Sequence, residues 1–199
     1  MAKSSKLSLN RMLKKYNFKG SKQLQKAAYN AAVKKAKKLQ AQALQELDQH
    51  VVTKEIEAGP NASGSSLLGG AGSLFGFLGF DSGSDPIVIL RNSLQDFVKV
   101  QRGNGKLLKV DKTRFLIEFP IDVPTVQQIY SNTPLSWTTK SWVKGIERGI
   151  TNATNTIFKK SENSRSGVAI QSQQNIGFVK FSPTPYITPI LKKLRQQLK

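Results

Sequence analysis

Residues 60–86 read PNASGSSLLGGAGSLFGFLGFDSGSDP. The stretch packs seven glycines among seven large apolar side chains, Leu67, Leu68, Leu74, Phe75, Phe77, Leu78 and Phe80. Glycine-rich segments are ordinarily polar, and large hydrophobes ordinarily sit on elements that bury them. Two readings follow. In one, the segment lines the core of its own domain and the glycines allow tight turns. In the other it is an assembly loop that a neighbouring subunit covers, because contiguous exposed apolar groups mark contact surfaces and long loops without structure of their own are usually functional. The assembly reading makes Leu67, Leu68, Leu74, Phe75, Phe77, Leu78 and Phe80 the expected subunit interface. Insertion into a bilayer, a third use of such a composition, lacks a secretory context.

The segment is not a phosphate cradle. A P-loop ends in Lys followed by Ser or Thr. No lysine lies between Gly69 and Asp85, and Gly76-Phe-Leu-Gly79 lacks the dinucleotide-binding spacing.

Upstream, residues 22–49 contain neither Gly nor Pro. Leu24, Ala28, Ala32, Ala36, Leu39, Ala43 and Leu47 recur at spacings of three and four, which predicts a long amphipathic helix with a narrow, alanine-rich stripe. Residues 51–58 (VVTKEIEA) alternate and are expected as a short strand. Downstream, Asp85-Pro86 starts a helix, with Asp as N-cap and Pro in the first turn. Residues 107–121 are strand-like, with Phe115, Ile117 and Phe119 on one face. Pro124 opens a short helix and 142–150 forms another. Residues 155–160 and 167–173 pair as a hairpin around SENSRS, 176–181 is a last strand, and a basic helix spans 187–198. The resulting class is α+β: a small mixed domain with antiparallel strands, a long N-terminal amphipathic helix, a C-terminal helix and a long Gly-rich apolar loop. Its expected organisation is a basic arm at 1–20 and one domain at 21–199, with the assembly loop at 60–85.

The 199 residues carry a formal charge of +19, from 31 Lys and Arg against 12 Asp and Glu. Residues 1–45 hold 12 basic side chains and no acid, whereas 46–130 are nearly neutral and 131–199 are basic again. Basic ends suit a polyanion: nucleic acid, an acidic protein surface or an anionic membrane. Lys14, Lys15, Lys34, Lys35, Lys37 and Lys38 are the expected contacts. The chain contains no cysteine, which removes disulfides, thiolate metal sites and Cys nucleophiles. One histidine, His50, falls at the end of the long helix and reads as a helix cap or surface residue, not a base. Glu55 and Glu57 would share one side of a strand, as an exposed polar face. No HExxH, calcium-loop or GxSxG pattern occurs. Trp137 and Trp142 read as packing residues. No catalytic residue, cofactor, metal, small-molecule substrate or membrane span is expected.

Six stretches carry a resemblance: VTKEIEAGP (52–60), LGGAGSLFGFLGFDSGSDPI (68–87), IYSNTPLSW (129–137), SWVKGIERGI (141–150), SRSGVAIQ (164–171) and TPYITPIL (184–191). Together they resemble structural proteins of tailed bacteriophages, in the neck, tail-completion and minor tail group that joins head to tail. The resemblance leaves out the N-terminal arm. It implies a non-enzymatic, ring-forming virion subunit, assembled in the host cytoplasm. Such a subunit contacts copies of itself and adjacent neck or tail proteins, with genomic DNA within reach of its basic ends. The alternative, from charge alone, is a basic nucleic-acid-binding module.

Overall fold

The computed structural model describes residues 22–97, 99–101, 106–110, 115–135, 138–150, 156–171 and 181–198. Their contacts fall into two compact units, which the expectation of one domain over 21–199 does not distinguish. The first takes the chain up to Lys38 together with Lys99–Asp122, and the second takes Leu39–Val98 and Val123–Lys199. Both combine helix with antiparallel strands, so the class is α+β.

The first unit holds the N-terminal part of helix α1 (Lys22–Gln49) and a two-stranded ribbon. Strands β1 (Lys99–Val100) and β4 (Ile121–Asp122) pair at the ribbon's base. Strands β2 (Lys106–Val110) and β3 (Phe115–Glu118) pair farther out, with an irregular register between Leu107 and Lys109. The single strand expected over 107–121 is therefore two strands folded onto each other. Tyr29 of α1 meets Phe119 edge-on, with ring centroids 5.9 Å apart. Ala28, Tyr29, Ala32 and Val33 are half-covered, and Ala36 is the one fully buried hydrophobic residue of this unit among those described.

The second unit holds the large core. The end of α1 continues, after a break at His50, into α2 (Val51–Glu57). The expectation of a strand over 51–58 is corrected here. β-Branched residues favour strands, but Val52, Thr53 and Ile56 are all buried, at a spacing that only a helix places on one side.

The glycine-rich stretch follows, and it is structured throughout. Ser66–Leu68 form a 3-10 turn, closed by hydrogen bonds from Ser65 N–H to the Gly72 carbonyl (3.1 Å) and from Gly70 N–H to the Ser65 carbonyl (2.8 Å). Helix α3 (Leu74–Leu78) has Ser73 as N-cap, its hydroxyl accepting from Gly76 N–H at 3.0 Å. Gly79, at φ +67°, ends it in the left-handed conformation that glycine adopts without steric cost.

Helix α4 (Pro86–Phe97) starts as expected, with Asp85 Oδ1 accepting from Ile87 and Val88 N–H. Helix α5 (Val126–Ser131) begins with a reciprocal Thr125–Gln128 capping box. Strands β5 (Pro134–Leu135) and β6 (Thr138–Ser141) pair and lead into α6 (Trp142–Arg148). Strands β7 (Thr156–Phe158) and β8 (Ala169–Gln171) form the expected hairpin, and α7 (Ile187–Leu198) is the expected C-terminal helix. The strand expected at 176–181 falls, but for Phe181, outside the described residues, as do the basic arm and Trp137.

Candidate functional site

The seven residues expected at a subunit interface lie inside the chain itself. Leu67 is 7% exposed, Leu68 1%, Leu74 0%, Phe75 3%, Phe77 4%, Leu78 3% and Phe80 5%. The premise that this segment cannot cover itself is corrected, and the core-lining reading describes it. The physical reason is local: two short capped helices turn its apolar side chains one way. An aromatic chain then receives them. Phe75 packs on Phe80 at 5.3 Å, Phe80 meets Trp142 edge-on at 5.6 Å, Trp142 meets Tyr186 at 6.3 Å, and Tyr186 meets His50 at 4.8 Å. Trp142 is thus a packing residue, as expected.

The acidic side chains serve as structural acceptors. Glu55 and Glu57, expected on one side of a strand, point apart because they lie two apart on a helix. Glu55 accepts from Ser66 N–H (2.9 Å) and from the Ser65 and Ser66 hydroxyls. Glu57 pairs with Arg91, which also pairs with Asp48.

Glu147, which no sequence pattern marked, binds four donors from two other helices. Its Oε1 accepts from Tyr186 and Thr188 N–H at 3.0 and 2.7 Å. Its Oε2 accepts from the Tyr130 hydroxyl at 2.5 Å and the Thr188 hydroxyl at 2.7 Å. It caps α7 from a distance of about forty residues in sequence, where Tyr186, in the local cap position, has no short acceptor side chain to offer. Burial alone would raise its pKa. The hydrogen bonds from Tyr130, Thr188 and Tyr186 outweigh that and hold it below the ordinary value.

His50 is neither the end cap of α1 nor a free surface group. It is the N-cap of α2, its Nδ1 accepting from Val52 N–H at 3.3 Å. Burial lowers its pKa, against smaller opposing effects from the Pro185 carbonyl and the Glu147 carboxylate. The unfolded chain therefore binds this proton more readily than the folded one. Stability is complete above about pH 6.5 and declines as pH falls through that value. Thermal melts at pH 7.5 and 5.5 should show a lower Tm at the acid end. His50→Asn, which keeps a capping acceptor, should remove most of that difference, and His50→Ala should cost about 1 kcal/mol at pH 7.5 and less at pH 5.5.

The charge sorts by unit. The described residues of the first unit carry nine basic and two acidic side chains, a net +7. Those of the second, although far more numerous, carry eleven and nine, a net +2. Of the expected contact residues, Lys34, Lys35, Lys37 and Lys38 are exposed on α1, and Lys26 joins them. Lys14 and Lys15 lie outside the described residues. The ion pairs among the described residues use Arg91 and Lys193, the latter with Glu46, and none of the five α1 lysines.

Among the described residues no group of His, Asp or Glu side chains could hold a metal ion, and no helix is long and apolar enough to cross a membrane. A cleft of about 330 Å³ beside Gly76 and Gly79 is lined by Ser161, Asn163, Ser164 and Arg165, with no carboxylate or imidazole on its wall. No family model, curated protein or solved structure matches the chain.

Proposed function

We propose that this chain is a structural subunit of a tailed-phage virion, forming a ring in the neck or tail-completion region where head meets tail. The observation that carries the reading is the convergence of the six resembling stretches, scattered over 140 residues, into one packed cluster within the second unit. Phe80 of the second stretch, itself packed on Phe75, reaches Trp142 of the fourth, and Trp142 reaches Tyr186 of the sixth. The Tyr186 hydroxyl bonds Thr53 of the first at 2.7 Å, with both side chains buried. Glu147 of the fourth binds Tyr130 of the third and Thr188 of the sixth. A Cβ on Gly76 would press on Val168 of the fifth.

These residues pack, cap and pair. That division of labour suits a subunit whose work is to hold shape. The glycine-rich segment is spent on the interior, so ring contacts fall to other surfaces. The half-covered stripe Ala28, Tyr29, Ala32 and Val33 on α1 suits close packing on a neighbour.

Native mass spectrometry and electron microscopy of purified virions and of the isolated chain test this. A closed multimer of defined copy number, with the chain present in virions, is expected. A chain that stays monomeric at every concentration and is absent from particles overturns the reading.

A further inference from the structure

We infer that the exposed lysine face of α1 is a sequence-independent docking surface for the phosphate backbone of B-form duplex DNA. The inference does not rest on the virion reading. It rests on the disposition of five side chains, Lys26, Lys34, Lys35, Lys37 and Lys38, all exposed and all within the first unit. At about 100° and 1.5 Å per residue they span some 18 Å of helix and about half its circumference. Lys26 and Lys37 fall along one flank, and Lys38 and Lys35 along the other. Between the flanks stands Lys34, with the small or short side chains Ala27, Asn30 and Ala31 around it. A slender helix with cations spread over half its circumference fits a groove whose two walls are phosphate.

The B-form major groove, about 12 Å wide, admits an α-helix; the A-form groove of duplex RNA is too narrow and deep. The residue types narrow the partner further. Protein interfaces are depleted in lysine and centre on buried aromatic or apolar anchors, and this face has neither Trp, Tyr, Phe nor a large aliphatic. Tyr29 is turned toward Phe119, so no ring is offered for stacking on single-stranded bases. With lysine as point charges and no arginine for bidentate base contacts, the face positions on the backbone without reading sequence. No acid precedes Glu46 to oppose it.

The test is an anisotropy titration of the full chain with a mixed-sequence 30-base-pair DNA duplex, from 50 to 200 mM salt. The five-site variant Lys→Gln at 26, 34, 35, 37 and 38 keeps helix propensity and removes the charge. Each neutralised phosphate contributes about 0.9 to the salt slope. The wild type should therefore have a slope steeper than the variant's by about 4 to 5, and lose roughly 500-fold more affinity across that range. Duplex RNA of the same sequence should bind at least tenfold more weakly than DNA. Protection of these five lysines from acetylation by bound DNA, measured on the wild type, gives the same answer if the variant misfolds. Equal slopes for the two proteins, unprotected lysines, RNA binding as tight as DNA, or displacement of DNA by polyglutamate at equal charge concentration each overturns the inference; the last would assign the face to an acidic protein. Because multimer mass is measured without DNA, failure here and failure of the ring reading are separate results.

Discussion

Gly72→Ala should unfold this protein at markedly lower denaturant, with a loss of about 2 to 5 kcal/mol. Two costs add. Gly72 sits at φ +43°, a conformation that L side chains adopt only with strain of about 1–2 kcal/mol. Its missing side chain is also where Phe158 of β7 lies, since an added Cβ would stand 2.3 Å from the ring. Phe158 is held in the hairpin by its pairing with Ala169, and its ring must shift to admit a Cβ, so the insertion costs a further 1–3 kcal/mol as overpacking. Urea melts of Gly72→Ala, Phe158→Ala and the double variant separate the two. If the contact is real, the double variant is more stable than the sum of the singles requires, by at least about 1 kcal/mol. Strict additivity would remove the steric half of the argument, and an unchanged midpoint for Gly72→Ala would remove all of it.

Glu147→Ala should cost about 3 kcal/mol. It strips the acceptor from two backbone N–H groups at the start of α7 and from the Tyr130 and Thr188 hydroxyls; the half-buried Tyr186 N–H and Tyr130 hydroxyl left without partners cost about 1 kcal/mol or more each, and the exposed Thr188 donors less. Glu147→Gln, which keeps one acceptor oxygen, should lose less than half as much. The carboxylate's folded-state pKa lies below its ordinary value near 4.5. Its contribution is therefore complete above that pH and disappears as pH falls through the folded-state value. A pH series of wild-type melts should show a stability step in that acid window, distinct from the His50 step near neutrality, and Glu147→Gln should lack it. A step of the same size in Glu147→Gln would assign acid unfolding to other carboxylates.

Much of the fold is carried by local chemistry and was legible in the chain. The limits of α1 and α7, the Asp85-Pro86 start of α4, the β7–β8 hairpin and the α+β class follow from periodicity, caps and turn residues, which act over a few positions. The lysines of α1 were legible too, because their charge is a property of composition and a helical stretch with no acid before Glu46 has nowhere to hide them.

What only the tertiary structure decided is where long-range partners come from. Val51–Glu57 alternates like a strand, yet it is a helix because Val52, Thr53 and Ile56 are claimed by one core. Glu147 looks like any exposed acid until α7 is brought to it. The glycine-rich segment reads as an uncovered apolar loop because much of what covers it lies far off in sequence. Trp142, Tyr186 and Phe158, which do bear on it or on the core that receives it, lie between 56 and 126 residues away from the segment's ends at Pro60 and Pro86. Sequence patterns encode what a residue needs, in burial, a cap or a counter-charge. The supplier of that need is chosen by packing, which acts over distance in space and is blind to distance along the chain.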